Sequence, residues 1–304
     1  MKLIADSGST KTDWTLLHDG GRHSDSIIVA TFTTQGITPI HQSPADIRQI
    51  LGQEMMPHLS TFPRAQLINS GVLETPLLSN TQVYFYGSGC TPAHVPMMKQ
   101  ILSEFFSPQN VEVHSDLMAA ARALCQQDAG IACILGTGAN SCLYDGEKII
   151  QNTPPLGYIL GDEGSGAVLG KLFMNAIFKD PAFSDVRDAY LKETKLTMPA
   201  IINKVYREPL ANRFLASTST FIHQHLDFEP LRQMVVDNFR LFFQRNVQQY
   251  QRHDLSVHAI GSIAHFFQEE LAEAVCKENF ALGTILRTPM EGLISYHQKE
   301  GKNC

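Results

Sequence analysis

The sequence predicts an α/β protein built from two related lobes, and three observations carry that reading. A hairpin rich in glycine and hydroxyl residues occurs twice, once near the start of each half of the chain. Short apolar runs alternate with stretches of helical spacing on either side of the hairpins. The 304 residues suffice for two domains of ordinary size.

The first hairpin runs from Leu3 to Leu17: an apolar run ends at Asp6, a polar turn follows through Ser7, Gly8, Ser9, Thr10 and Lys11, and a second apolar run begins at Trp14. Such a turn is dense in backbone N–H donors and hydroxyls, and Gly8 can take positive φ and lets another group approach the main chain closely. Cys133 to Gly146 repeats the plan. Laying Asp6-Ser7-Gly8 on Gly136-Thr137-Gly138 brings Asp19-Gly20 close to Asp145-Gly146. A duplicated hairpin implies two lobes gripping one ligand between them.

The elements follow in order. Ile27 to Phe32 reads as a third strand, Gln35 to Pro39 as a loop, and Pro44 to His58 as a helix with Ile47, Ile50, Leu51 and Met55 on one face. Val83 to Tyr86 is a further strand, so three strands, a helix and a strand outline an RNase-H-like lobe. A helix is expected near Thr91, with Pro92 in its first turn. After the short strand Val111 to Val113, Ser115 can cap a helix whose first turn holds Asp116. The helix dipole alone would favour an acid there.

In the second half, Ile131 to Leu135, Ser141 to Tyr144 and Lys148 to Ile150 read as strands, and Pro154 to Gly166 as a loop leading into a helix lined by Leu169, Leu172, Phe173, Ala176 and Ile177. The run Gly166 to Lys171 lacks P-loop spacing and has Leu172 in the Ser/Thr place, so a Walker-type site is rejected. Residues 180 to 254 are helical in pattern, with Leu231, Val235, Phe239, Phe242, Asn246 and Tyr250 as a core-facing stripe. His223 and His225 lie two apart, on different helix faces, and are expected to face solvent rather than a metal. Leu255 to Ile260 is a strand. Gly261-Ser262 then opens a helix with Ile263, Phe266, Phe267, Leu271 and Ala274 inward, an arrangement that serves either a nucleotide or tight strand–helix packing. Thr284 to Arg287 is the last strand and Met290 to His297 the last helix.

Composition narrows the function. With 43% hydrophobic and 18% charged residues and a net charge of -6, the chain reads as globular, and no basic tract suits nucleic acid. Six cysteines show no zinc-type pairing. Lys2 leads straight into the first strand, so no signal peptide is read, and no apolar run approaches a membrane span. A cytoplasmic protein with free thiols is expected.

Asp6 to Thr12, Ser115-Asp116, Leu135 to Ser141, Gly157 to Ser165, Gly261-Ser262 and Pro289 to His297 together resemble the sugar kinase, Hsp70 and actin superfamily, and within it the N-acetylglucosamine kinase and BadF/BadG-type ATPase family. Each motif is short; their order and spacing across nearly the whole chain are specific. The resemblance implies two RNase-H-like lobes with a nucleotide cleft between them. The first would span residues 1–115 with a last helix, 289–304, packing back on it; the second 116–288 with a helical insertion at about 180–254.

The resemblance also implies roles. Gly8, Ser9, Thr10, Lys11 and Thr12 in one turn and Thr137 and Gly138 in the other would hold ATP phosphates, Gly261 and Ser262 the adenosine, and Asp6 the Mg²⁺, mainly through water. Asp116 would be the catalytic base for the sugar hydroxyl. Thr38, Asn140, Gly157, Asp162 and Glu163 would join Asp116 in the sugar site, with Glu163 orienting Asp162. The family usually has asparagine at Thr38 and a Gly-Gly-Trp-Gly-like run where this chain has Pro154-Pro-Leu-Gly157. The expected activity is phosphorylation of N-acetylglucosamine or a related amino sugar. The alternatives are an ATPase that activates a redox partner, for which Cys90 sits in a suggestive loop, and a non-catalytic sugar sensor. The expected partner is a small sugar, with neither nucleic acid nor membrane; a homodimer is left open.

Overall fold

The computed structural model describes residues 1–18, 27–60 and 80–299. The chain divides into two compact units, Met1–Gln126 with Pro289–Cys304, and Gln127–Thr288. Each is built on a five-stranded sheet.

Unit 1 contains β1 (Lys2–Ser7), β2 (Lys11–His18), β3 (Ile27–Gln35), β4 (Gln82–Gly87) and β5 (Val111–Ser115), in the spatial order β3-β2-β1-β4-β5. The first three form an antiparallel meander, and β4 and β5 join in parallel. Unit 2 contains β6 (Gly130–Leu135), β7 (Ala139–Tyr144), β8 (Ile149–Thr153), β9 (Ser256–Ile260) and β10 (Ala281–Leu286), in the order β10-β9-β6-β7-β8. Mapping β1 to β6 and each later strand likewise makes the two orders identical. The sequence repeat is therefore the visible part of a whole duplicated sheet.

The ladder changes the register of that repeat. Gly8 N–H donates to Lys11 C=O and leaves Ser9 and Thr10 at the tip, whereas Gly136 N–H donates to Gly138 C=O and leaves Thr137 alone. Gly8 therefore corresponds to Gly136, not to Gly138. One tip is a residue shorter, a difference that sequence overlay cannot separate from a shift. Asp19-Gly20, the other anchor of the overlay, lies outside the described residues.

Alternation along the strands sets the two faces of the first sheet. Leu3, Ala5, Trp14, Leu16, Val83 and Phe85 pack into one core with Ile47, Leu51, Met55 and Met98. The Pro44–Ile50 helix starts at a capping box between Ser43 and Asp46 and continues through a π-turn, Leu51–Met55, to Ser60. The helix expected near Thr91 begins at Val95, with Pro96 in its first turn. The Thr91 hydroxyl bonds the His94 ring at 2.8 Å in a preceding turn.

Helix Asp116–Cys125 packs against the final helix, Met290–Lys299, and both belong to unit 1. The unit boundary thus falls after this helix rather than before it. Gly292 permits the contact, since a Cβ there would lie 2.4 Å from Ala123 O. In unit 2, helices cover one face of the sheet, with Phe173, Phe221, Phe239 and Phe267 at their core. A π-turn at Phe243–Val247 adds a residue to the long helix. Val247 is buried in place of Asn246, which is only half-buried, before Tyr250 returns to the core. The helix after Gly261 breaks at Phe267, so Phe266 is 45% exposed rather than inward. His225 is half-buried and stacks on Phe221, while His223 is exposed.

Candidate active site

In unit 1 the functional side chains rise from one row of the sheet. Thr33, Asp13, Asp6, Tyr86 and His114 are successive ladder partners on β3, β2, β1, β4 and β5, so their side chains share a face. Asp116 follows β5 directly as the first residue of its helix. Ser115 caps that helix by accepting from Met118 N–H at 3.3 Å, and the Asp116 carboxylate accepts from Leu117 N–H at 2.9 Å.

The electrostatics follow from this gathering of acids. Burial, reinforced by the charges of Asp13 and Asp116 and eased by Lys11, pushes the Asp6 carboxyl up to about 7. Burial also raises the Asp116 carboxyl. Two carboxylates that feel one another, both short of compensating positive charge, make a site suited to a cation beside one and a proton on the other.

The first turn is held from beneath. Ser7 Oγ lies 2.7 Å from Thr12 Oγ1 and donates to Ile37 C=O, and Thr12 Oγ1 donates to Gln35 C=O. Thr12 is fully buried, so its hydroxyl braces the turn instead of lining it. Gly8 does not take positive φ, and a Cβ there would meet nothing closer than 3.8 Å. The glycine that the turn requires is Gly36, whose Cβ would fall 2.4 Å from Gly8 O and whose N–H donates to Thr10 C=O. Ser9 and Thr10 are exposed at the tip, and Lys11 is paired with Asp13 at 2.6 Å.

In unit 2 the turn rests on a helix start. Gly166 N–H donates to Gly136 C=O and Ala167 N–H to Thr137 C=O. Because C=O and N–H are antiparallel across a trans peptide, the N–H groups of Thr137 and Gly138 point away from that helix as an adjacent pair of donors. Thr137 is exposed. A Cβ on Gly138 would lie 3.0 Å from Asp162 Oδ2, so a larger residue there would press on that carboxylate.

Asp162 has left-handed backbone, φ 56°, and the N–H groups of Gly157 and Ala139 near its carboxyl favour the charged form. Burial raises its pKa, and the Glu163 charge adds to the rise. Glu163 itself pairs with Arg245. The structure thus gives Glu163 an arginine partner and no bond to Asp162. Behind the loop, Asn238 accepts from Gly164 N–H at 3.0 Å and donates to Ser165 C=O at 3.3 Å. Asn140 Oδ1 is occupied by Ser141 N–H and Asn152 Nδ2, each at 2.9 Å.

Gly261 has φ 123°, and a Cβ on it would lie 2.3 Å from Leu135 O. Close packing explains this glycine, and the helix it starts, Ser262–Phe266, is too short for a strong dipole. Thr38 is buried, and its hydroxyl is one of two buried side-chain atoms with no hydrogen-bond partner among the described residues. Cys90 is also buried, and burial and the Asp116 charge push its thiol up to about 12. That protonated thiol does not favour the redox-activator reading.

Asp13, Gly36, Gly164 and Asn238 were not singled out from sequence. Hairpin register could have found Asp13, because it pairs with Asp6 once the turn is set. The others depend on contacts between distant segments.

No family model and no curated protein matches the chain. Among solved structures, the "putative N-acetylglucosamine kinase" of Porphyromonas gingivalis is 45% identical, with 98% of this chain and 99% of that chain covered and a TM-score of 0.85. A protein of the same description from Chromobacterium violaceum is 16% identical over 97% of this chain and 98% of that chain, with a TM-score of 0.66. A ROK family glucokinase from Streptomyces griseus, solved with glucose and AMPPNP, is 13% identical over 97% of each chain, with a TM-score of 0.51. The last two show the fold alone. Two duplicated α/β units with Gly/hydroxyl turns define a protein of the sugar kinase, Hsp70 and actin superfamily. At the identity and coverage of the Porphyromonas protein, the chain belongs to the N-acetylglucosamine kinase family.

Proposed function

We propose that the protein transfers the γ-phosphoryl group of ATP to a hydroxyl of N-acetylglucosamine or a close amino sugar. The observation that carries this reading is the pair Asp6 and Asp116 at one end of the unit 1 sheet, in a chain 45% identical to a protein described as a kinase for that sugar. Phosphoryl transfer depends on positioning and charge neutralisation, with little covalent work for the protein.

Asp116 accepts the proton of the attacking hydroxyl. Its raised pKa strengthens it as a base relative to an ordinary aspartate, and the Leu117 N–H keeps the carboxylate oriented. In unit 1 the exposed tip residues Ser9 and Thr10, and in unit 2 the Thr137 and Gly138 N–H pair, each offer donors suited to phosphate oxygens. Asp6 fits a divalent cation by its chemistry, as a carboxylate crowded by two others and short of positive charge. Mg²⁺ bound there would neutralise charge on the phosphates, with water completing its shell.

The Thr38 hydroxyl, buried without a partner, supplies a donor for a sugar hydroxyl. Asp162 lies beside the second phosphate turn, its Oδ2 next to Gly138, where it can meet a sugar hydroxyl close to that turn. Among the described residues no helix is long and apolar enough to cross a membrane.

The test is ADP release with ATP and Mg²⁺ against N-acetylglucosamine, glucosamine, N-acetylmannosamine, N-acetylmuramic acid and glucose. Sugar-dependent turnover strongest with N-acetylglucosamine is expected. Asp116→Ala should keep ATP binding and lose about 10²-fold or more in turnover, the usual scale of a general base. Turnover independent of sugar, or undiminished in that variant, would reject the reading.

A further inference from the structure

Asp13 has no role in the chemistry above, yet it stands directly opposite Asp6 in the β1–β2 ladder. Like charges opposed across a strand pair are unfavourable, so its presence needs a cause. Its two oxygens are both engaged. Thr33, its partner on β3, donates to Oδ1 at 2.9 Å, and Lys11 Nζ lies 2.6 Å from Oδ2.

The direction of these contacts matters. β3 lies on the side of β2 away from β1, so the Thr33 bond draws the Asp13 carboxylate away from Asp6. Lys11 is two residues earlier on the same strand and face, and its ammonium follows the carboxylate. Asp6 is the other carboxylate whose field Lys11 already feels: Gly8 faces Lys11 across the turn, Asp6 is two residues before Gly8, and the Lys11 charge acts on Asp6. A lysine seated on Asp6 would compete for the carboxylate oxygens that a divalent cation needs.

We propose that Asp13 is a positioning residue: with Thr33 it holds the Lys11 ammonium on the β3 side of the hairpin and so keeps Asp6 open to a divalent cation. This rests on the reading of Asp6 as the cation's carboxylate.

The test is Mn²⁺ binding to the full-length protein with saturating ADP, read as free Mn²⁺ by electron paramagnetic resonance. Wild type, Lys11→Met, Asp13→Asn and the double variant form a cycle, with ADP affinity without metal measured for each. Asp13→Asn should weaken Mn²⁺ binding about two- to five-fold, the scale of a half-exposed ion pair. Lys11→Met should change little alone yet recover most of that loss in the Asp13→Asn background, a non-additive result. Additive affinities, the signature of charge removal at a distance, would overturn the proposal. So would an Asp13→Asn variant that binds Mn²⁺ unchanged, or a wild type that binds none. A cycle with the expected coupling in a protein that phosphorylates no sugar would reject the proposed function and leave this inference standing.

Discussion

Asp6 shows how a single side chain is set by its neighbours. Its carboxyl titrates near 7 because it is buried and faces Asp13 and Asp116, whereas in the unfolded chain it titrates near 3.8. Below about pH 4 both states are protonated and the group has no effect on stability. Between there and about pH 7 the unfolded chain ionises first, so the native state loses stability as pH rises. Asp6→Asn should therefore stabilise the protein by about 2–4 kcal/mol near pH 8 and by almost nothing near pH 4, measured by urea unfolding. Equal effects at both pH values would show that the carboxyl is not strained. The position of Asp6 at a strand end before a polar turn was legible in the sequence. Its tension with Asp13 was not, since it depends on which residues face one another across the hairpin.

At the level of elements, the loop from Asp162 to Ser165 is shaped by a helix far along the chain. Asn238 answers a buried N–H and a buried C=O of that loop, and Gly164, at φ 80°, fits beneath Phe242. Asn238→Ala would leave the Gly164 N–H without a partner, while Ser165 C=O keeps the Leu169 N–H, at a cost of about 1–3 kcal/mol. The expected outcome is a lower urea midpoint together with a raised KM for the sugar. A loss of stability with unchanged KM would mean that the loop does not position substrate. The Gly-Asp-Glu-Gly motif marked this loop as functional from sequence, but the asparagine that fixes it sits in an ordinary amphipathic helix. Its polar side chain there reads as a surface residue until the packing is known. The π-turn after Phe242 was hidden for a similar reason, because a residue inserted into a helix shifts the buried stripe without altering composition.

At the scale of the whole molecule, the first strand and the final helix, far apart in the chain, meet in unit 1. His297 is fully buried, its ring 2.9 Å from Tyr86 Oη and 3.8 Å centre to centre from Tyr84, and Arg122 donates to Tyr86 Oη at 2.7 Å. Arg122 lies on the helix that begins with Asp116, so the final helix and that helix are tied to the same tyrosine. His297→Ala should destabilise unit 1 by about 2–4 kcal/mol through the cavity and the lost bond. Trp14, the chain's single tryptophan, belongs to unit 1 and reports on it alone. Its fluorescence should shift to lower denaturant ahead of the far-UV circular dichroism, to which the helix-rich unit 2 contributes. Coincident transitions would show that the two units unfold as one.

The sequence by itself determined the α/β class, the duplication, the two turns and the acids placed beside them, because these are local signals: apolar alternation, a cap, glycine and hydroxyl residues in a row. Only the tertiary structure decided what those residues face. Gly36 beneath Gly8, Asp13 opposite Asp6, Thr12 buried, Glu163 on Arg245 and Asn238 behind Gly164 all join segments distant in the chain or fixed by register. Such contacts leave no periodic trace, since the physical constraint is steric approach and hydrogen-bond satisfaction in space rather than the order of residues along the backbone.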